Sequence, residues 1–393
     1  MSAPAGRIVQ RLDGALIILA LLLPVVVSFS NALAQSVAAA LWACWLVLAV
    51  YFRAPWPAGR TLPTLIALWL GVCLLSAVLG TDVALGLRTF SRKTLDYTLV
   101  ALAMAQVGAE PGAARRIVRW AAWGGTFVVF DGLLQWWLGH DVLRARPRWG
   151  HRLTGPLDNP NNFGTYLVMM SPLQWWAMGQ ARRWPERFVL LLGVLAIPPL
   201  LVQTDSRSSW LAFGIAVSVL IALTGRWRAL AVGLVALAVA VWRWRPFALS
   251  EAIDLSPGRW EGWLVSWRMF LDHPWIGIGL GTFMANYMRY PLLEGAWPRP
   301  QYAHNCFLQI LAETGVAGLI TFVALVGWVC ARGVHHVRTH REHDSVVTAL
   351  IASLAAFLVG AIFDTGLYSL PIAFFFWWLL GLVVGATSFR PQR

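Results

Sequence analysis

Leu62-Pro-Thr-Leu-Ile-Ala-Leu-Trp-Leu-Gly-Val-Cys-Leu-Leu-Ser-Ala-Val-Leu-Gly80 contains no charged residue. As a helix rising 1.5 Å per residue, a run of ~20 apolar residues crosses the ~30 Å hydrocarbon core of a bilayer. Runs of the same kind recur along the 393-residue chain. They fall near 13–34, 36–52, 62–80, 94–108, 116–138, 162–179, 187–203, 208–224, 229–246, 305–331, 345–363 and 370–388. Lipid offers no hydrogen bonds, so each span must satisfy its own backbone, and a helix does this. The expected fold is an all-α polytopic membrane protein with twelve transmembrane helices. Composition agrees: 58% of residues are hydrophobic and only 12% charged, against about 25% charged in soluble domains.

The spans divide the chain into three parts: spans 1–9 in residues 1–246, a large loop at 247–304, and spans 10–12 in 305–393. The net charge of +13 is not a nucleic-acid signal, because no soluble basic domain exists to carry it. Cys44, Cys73, Cys306 and Cys330 show no paired or metal-like spacing, and buried small residues are the expectation. Arg7 and Arg11 ahead of an apolar run ending Ala32-Leu33-Ala34 imitate a signal peptide. An uncleaved first span is the expectation.

Twelve spans put both termini on one side. The connections on that side are short and basic: Arg53 and Arg60, Arg115 and Arg116, Arg182, Arg183 and Arg187, Arg226 and Arg228, Arg332, Arg338 and Arg341. The positive-inside rule makes that side cytoplasmic. The segment after Pro246 then faces outward, together with the loops near 81–93, 139–161, 204–207 and 364–369. Those outer loops nevertheless hold Arg88, Arg92, Lys93, Arg144, Arg146, Arg148, Arg152, Arg207, Arg259, Arg268, Arg289 and Arg299. Cations on the translocated side oppose topology and ask for a reason. Ion pairs with Asp82, Asp141, Asp158, Asp205, Asp254 and Asp272 would account for about half of them. The remainder suggest an anionic ligand, because the arginine fork donates paired, charge-assisted hydrogen bonds to phosphate.

Several short motifs sit on that side. Arg207 lies in a tight turn between two spans; it either serves such a ligand or pairs with Asp205. Asn159, Asn161 and Asn162 can cap the helix that starts at Phe163, leaving its positive end outward. Gly277-Ile-Gly-Leu-Gly281 departs from the G-x-G-x-x-G spacing and reads as a tight bend that lets helices pack closely. Trp260, Trp263, Leu264, Trp267 and Phe270 share one helical face, as expected of a helix lying at the membrane interface, with Arg259 at headgroup level. His304 precedes the tenth span; its imidazole is a natural general base near neutral pH, or else an ordinary helix-end histidine bonded to a loop. His335, His336, His340 and His343 read as a solvated basic loop.

The chain resembles the O-antigen ligases, within a wider group that includes O-antigen polymerases and related oligosaccharyltransferases. The resemblance rests on Gly155-Pro-Leu-Asp-Asn-Pro-Asn-Asn162, Ser206-Arg207-Ser-Ser-Trp-Leu-Ala212, Gly258-Arg259 and Asp272-His-Pro-Trp-Ile-Gly-Ile-Gly-Leu-Gly281. It rests above all on His304-Asn305-Cys-Phe-Leu308 with Glu313-Thr-Gly-Val-Ala-Gly318. It covers most of the chain and is strongest over residues 150–320.

The resemblance implies a GT-C-type glycosyltransferase architecture whose large loop is periplasmic. It implies transfer of a glycan from undecaprenyl-diphosphate-linked O-antigen to a sugar hydroxyl of the lipid A-core oligosaccharide, at the periplasmic face of a bacterial inner membrane. The reaction is expected to be inverting and metal-independent, with no cofactor. His304 would take the acceptor proton. Arg207 and Arg259 would bind the donor diphosphate, Arg88 and Arg152 are further candidates for that anion, and Asn305, Asn161 and Asn162 would support the site. Lys93 is the sole lysine, so a basic role near the fourth span falls to Arg88, Arg92 or Lys93. A polymerase or a protein O-oligosaccharyltransferase would use the same groups. A transporter of lipid-linked sugars would instead place charges inside the spans, whereas Asp96, Asp131 and Asp364 lie nearer span ends.

Overall fold

The computed structural model describes residues 3–51, 59–225, 257–290, 302–340 and 345–388, with side chains from residue 11 onward and from Arg259 in the third stretch. These residues form helices and turns, with no β-strand among them. In chain order the helices are α1 (Ala3–Val26), α2 (Asn31–Leu46), α3 (Thr61–Leu79), α4 (Val83–Thr89), α5 (Leu95–Gly108), α6 (Ala113–Leu138) and α7 (Pro160–Gln180). Then come α8 (Trp184–Thr204), α9 (Arg207–Thr224), α10 (Pro257–Asp272), α11 (Phe283–Asn286), α12 (Cys306–His340), α13 (Val346–Gly360) and α14 (Leu370–Ser388).

Seven of the described helical stretches are long and apolar enough to cross a membrane: Asn31–Tyr51, α3, α6, α8, α9, α12 and α14. The chain is a multi-pass membrane protein, all-helical among the described residues. The expected span at 229–246 lies outside the described residues, as do Arg299 and most of the first part of the large loop.

Local sequence sets the helix ends. Ser30 accepts a hydrogen bond from the Leu33 amide at 3.2 Å and starts α2. Asn159 accepts from the Asn161 amide at 2.8 Å with Pro160 next, and so starts α7; proline at the first helical position has no amide to waste. Residues 81–93 were expected as a connection, but Val83–Thr89 is helical and runs through a π turn at Phe90–Thr94 into α5. Asp82 is the cause: its carboxylate accepts from the Leu85 amide at 2.9 Å and caps α4.

The bundle is built around α14, buried continuously from Ile372 to Gly385. Trp378 donates to the Ala20 carbonyl at 3.1 Å, and the Phe374 ring meets Tyr97 edge-on at 4.7 Å. A Cβ on Gly385 would come within 2.7 Å of the Gly108 Cα. Small residues thus let α5 and α14 approach backbone to backbone, the packing that substitutes for hydrophobic drive between helices in lipid.

Candidate active site

α12 and α13 form an antiparallel pair that brings the start of one beside the end of the other. The Cys306 amide donates to the Ala361 carbonyl at 2.8 Å, and the Cys306 thiol donates to the Asp364 carbonyl at 3.2 Å. Asn305 caps α12, its side-chain oxygen accepting from the Phe307 and Leu308 amides at 2.9 and 3.0 Å. These bonds fix the start of α12. His304, just before that cap, adopts a left-handed backbone with φ 49°, a conformation that non-glycine residues enter at a cost and that recurs at functional positions.

The turn aims the imidazole at Asp364. His304 Nδ1 lies 3.5 Å from Asp364 Oδ1, with about a third of the His304 side chain exposed. The Thr365 amide donates to the same oxygen at 2.7 Å. Burial by itself pushes the Asp364 carboxyl up, but His304, the Thr365 amide and the Arg259 charge together hold it below the usual aspartate range. Asp364 is therefore a fixed anion behind the histidine.

Arg152 joins two further elements to the same charge neighbourhood. Its Nε donates to the Thr204 carbonyl at 2.8 Å, and its Nη2 donates to the Asn161 side chain at 2.8 Å and the Asp205 carbonyl at 3.4 Å. It thus ties the start of α7 to the turn between α8 and α9, one residue group away from Arg207, which opens α9. Burial lowers the Arg152 pKa, Asp205 raises it, and Arg259 lowers it again, with Asp364 also within electrostatic range. Arg152, Arg259, His304 and Asp364 therefore share one electrostatic neighbourhood.

Other predicted groups are used differently. Arg144 and Arg146 both pair with Asp158, and Arg148 donates to the Gln135 and Trp136 carbonyls at the end of α6. These three of the twelve outer cations have structural partners, two of them the expected aspartate. Asn161 orients Arg152 as described. Asn162, the third residue of α7, and Arg88, exposed on α4, are not joined to His304 or Asp364 by any interaction among the described residues.

The large loop contributes two parts. In α10, Glu261, Val265, Ser266 and Met269 are buried, while Trp260, Trp267 and Leu271 are exposed. Trp260 and Trp267 therefore lie on an outward face, whereas Trp263, Leu264 and Phe270, expected on the same face, are half-buried. Beyond α10, Gly277, Gly279 and Gly281 all take positive φ, and the bend they form inserts against a break in α12 at Gly315. The Ile278 and Gly279 amides donate to the Ala312 and Glu313 carbonyls at 3.0 and 3.1 Å.

Sequence reasoning quoted Glu313 only as part of a motif, yet it is the hub of this junction. Its buried carboxylate accepts from the Gly281 amide at 2.9 Å, the Tyr368 hydroxyl at 3.0 Å and the Gln309 amide at 3.3 Å. Its backbone carbonyl accepts from Ser76 at 2.6 Å. Burial and the Glu313 charge push the Tyr368 hydroxyl well above its ordinary range, so it remains a donor. Asp364 was also missed as a partner of His304. The available signal was topological: one span runs away from His304 and the next returns to Asp364.

A multi-pass helical membrane protein with a histidine–aspartate pair and convergent arginines at one end of its bundle is the class that these features define. Residues 188–323 match the O-antigen ligase family model. The match includes Arg207, Arg259, His304 and Glu313, and excludes Arg152 and Asp364. No match was found among curated proteins.

Proposed function

We propose that this protein is an O-antigen ligase. It transfers a glycan from undecaprenyl diphosphate to a sugar hydroxyl of the lipid A-core oligosaccharide, without a metal and with inversion. The family match over residues 188–323 supports glycosyl transfer or polymerisation from lipid-linked glycans in general. The observation that carries the specific reading is the His304–Asp364 pair lying within the charge field of Arg152 and Arg259.

In this reading Asp364 holds the His304 proton on Nδ1 and leaves Nε2 free to accept. Nε2 takes the proton from the acceptor hydroxyl as its oxygen attacks the anomeric carbon of the donor sugar. The bond from that carbon to the phosphate oxygen breaks on the opposite face, and its electrons leave with undecaprenyl diphosphate. Arg207, Arg259 and Arg152 neutralise the departing charge, a task that suits pre-placed guanidinium groups. Arg88 is a peripheral candidate for the same anion.

The proposed setting is the bacterial inner membrane. Twelve spans in a GT-C-type arrangement leave both termini cytoplasmic, and the 247–304 loop and the site lie in the periplasm. The exposed tryptophans of α10 support this, since they would rest at the interface and hold Arg259 at headgroup depth.

The test is transfer by a His304→Ala variant in membranes supplied with lipid-linked donor and core acceptor. Wild-type transfer by that variant would remove His304 as the base. A deletion strain separates ligase from polymerase: uncapped core with long lipid-linked polymer means ligase, and core bearing one repeat unit means polymerase.

A further inference from the structure

At the other end of the bundle an open cavity of about 780 Å³ lies between the first turns of α6 and the connection from α7 to α8. Arg116, Arg119, Trp120 and Trp123 line one side, and Arg182 and Arg183 the other. Glu186 also lines it, but it is engaged in an ion pair with Arg119 that braces α6 against α8. Arg116, Arg182 and Arg183 are exposed and have no carboxylate partner among the described residues. We propose that this cavity binds the phosphate headgroup of an anionic glycerophospholipid.

Three observations point to a lipid rather than to a solvated basic face. The arginines converge from two separate elements on one space large enough for a headgroup, and guanidinium forks match phosphate oxygens. Trp120 is 62% exposed and Trp184, beside Arg183, is 70% exposed; exposed indoles on membrane helices mark the headgroup level. From there a strip of exposed apolar residues continues toward mid-membrane, with Phe127 on α6 and Phe188, Leu192 and Leu195 on α8. That strip is where acyl chains would lie, and a free phosphate would have no use for it.

The site is separate from the proposed catalytic one. α8 runs from Trp184 to Thr204, whose carbonyl holds Arg152, a rise of about 30 Å. The donor diphosphate at Arg152 cannot reach this cavity, so the inference stands independently of the reaction.

The experiment is native mass spectrometry of the full-length protein in detergent with added phosphatidylglycerol or phosphatidylcholine. Wild type is expected to retain phosphatidylglycerol selectively, and Arg182→Gln/Arg183→Gln to lose roughly tenfold in that retention, with phosphatidylcholine unchanged. Arg116→Gln, on the other wall, must weaken phosphatidylglycerol as well, and its unfolding temperature without lipid reports whether the fold is intact. Wild-type retention of phosphatidylglycerol by both the double variant and Arg116→Gln overturns the proposal. Displacement of phosphatidylglycerol by an equal concentration of inorganic phosphate assigns the cavity to free phosphate and overturns the lipid assignment.

Discussion

His304 Nδ1 sits 3.5 Å from Asp364 Oδ1, across a junction where the first turn of one membrane helix is hydrogen-bonded to the last turn of the next. The two residues are far apart in sequence and are brought together by an antiparallel helix pair whose ends cannot drift independently. The relationship is a product of packing, and its consequences can be measured.

Asp364→Asn keeps the shape of the side chain and removes its charge. Transfer is expected to fall by roughly 10²-fold, within the range that a positioned general base contributes. The pH dependence follows from the direction of the shift. Asp364 is held below the ordinary aspartate value of ~3.9, so its contribution to stability is fully present above that value and is lost as pH falls through its folded pKa. Thermal unfolding in detergent should therefore show the wild-type advantage over Asp364→Asn constant from pH 7 to about pH 4, and shrinking only below it.

Arg259→Lys keeps the charge of Arg259 but not its fork. The Michaelis constant for lipid-linked donor is expected to rise about tenfold with a smaller change in kcat, since a lysine cannot make the paired contact. An unchanged constant would remove Arg259 from diphosphate binding.

Gly277→Ala would place a methyl group against the Glu313 backbone at φ +78°. Strain and overpacking together predict a loss of roughly 2–5 kcal/mol, read as a lowered unfolding temperature. Gly71, in α3, has nothing within 4 Å of its would-be Cβ, and Gly71→Ala should be neutral or stabilising by about 0.5–1 kcal/mol.

A photoreactive benzophenone amino acid separates the two faces of α10. At position 267, where Trp267 is exposed, it should crosslink phospholipid; at position 265, where Val265 is buried, it should crosslink within the chain. Equal lipid labelling at both positions would show that α10 does not lie on the membrane.

Much of this was legible in the sequence because the deciding information is local. A run such as Leu62–Gly80 declares a helix by hydropathy alone, and the tryptophan spacing of α10 declares its outward face. Gly277–Gly281 announced a bend through residues that alone tolerate positive φ. The roles of Asp364 and Glu313 were not legible, because neither role resides in the neighbouring sequence. Asp364 matters through His304, and Glu313 through Ser76, Gly281 and Tyr368, all delivered by other elements. The outer arginines show the same limit: Arg144 and Arg152 look alike in sequence, yet Asp158 engages one while Thr204 and Asn161 hold the other within the charge field of Arg259 and Asp364.

The Glu313 junction also dictates an order of assembly. Its partners come from α3, from the glycine bend, from α12 and from the turn before α14. During synthesis the bend is made before the carboxylate that receives it, and the last contact waits for Tyr368. The junction is therefore a closing latch for the whole chain: damage near the C-terminus will disable the glycine bend from a distance, in a protein whose earlier helices are all correctly inserted.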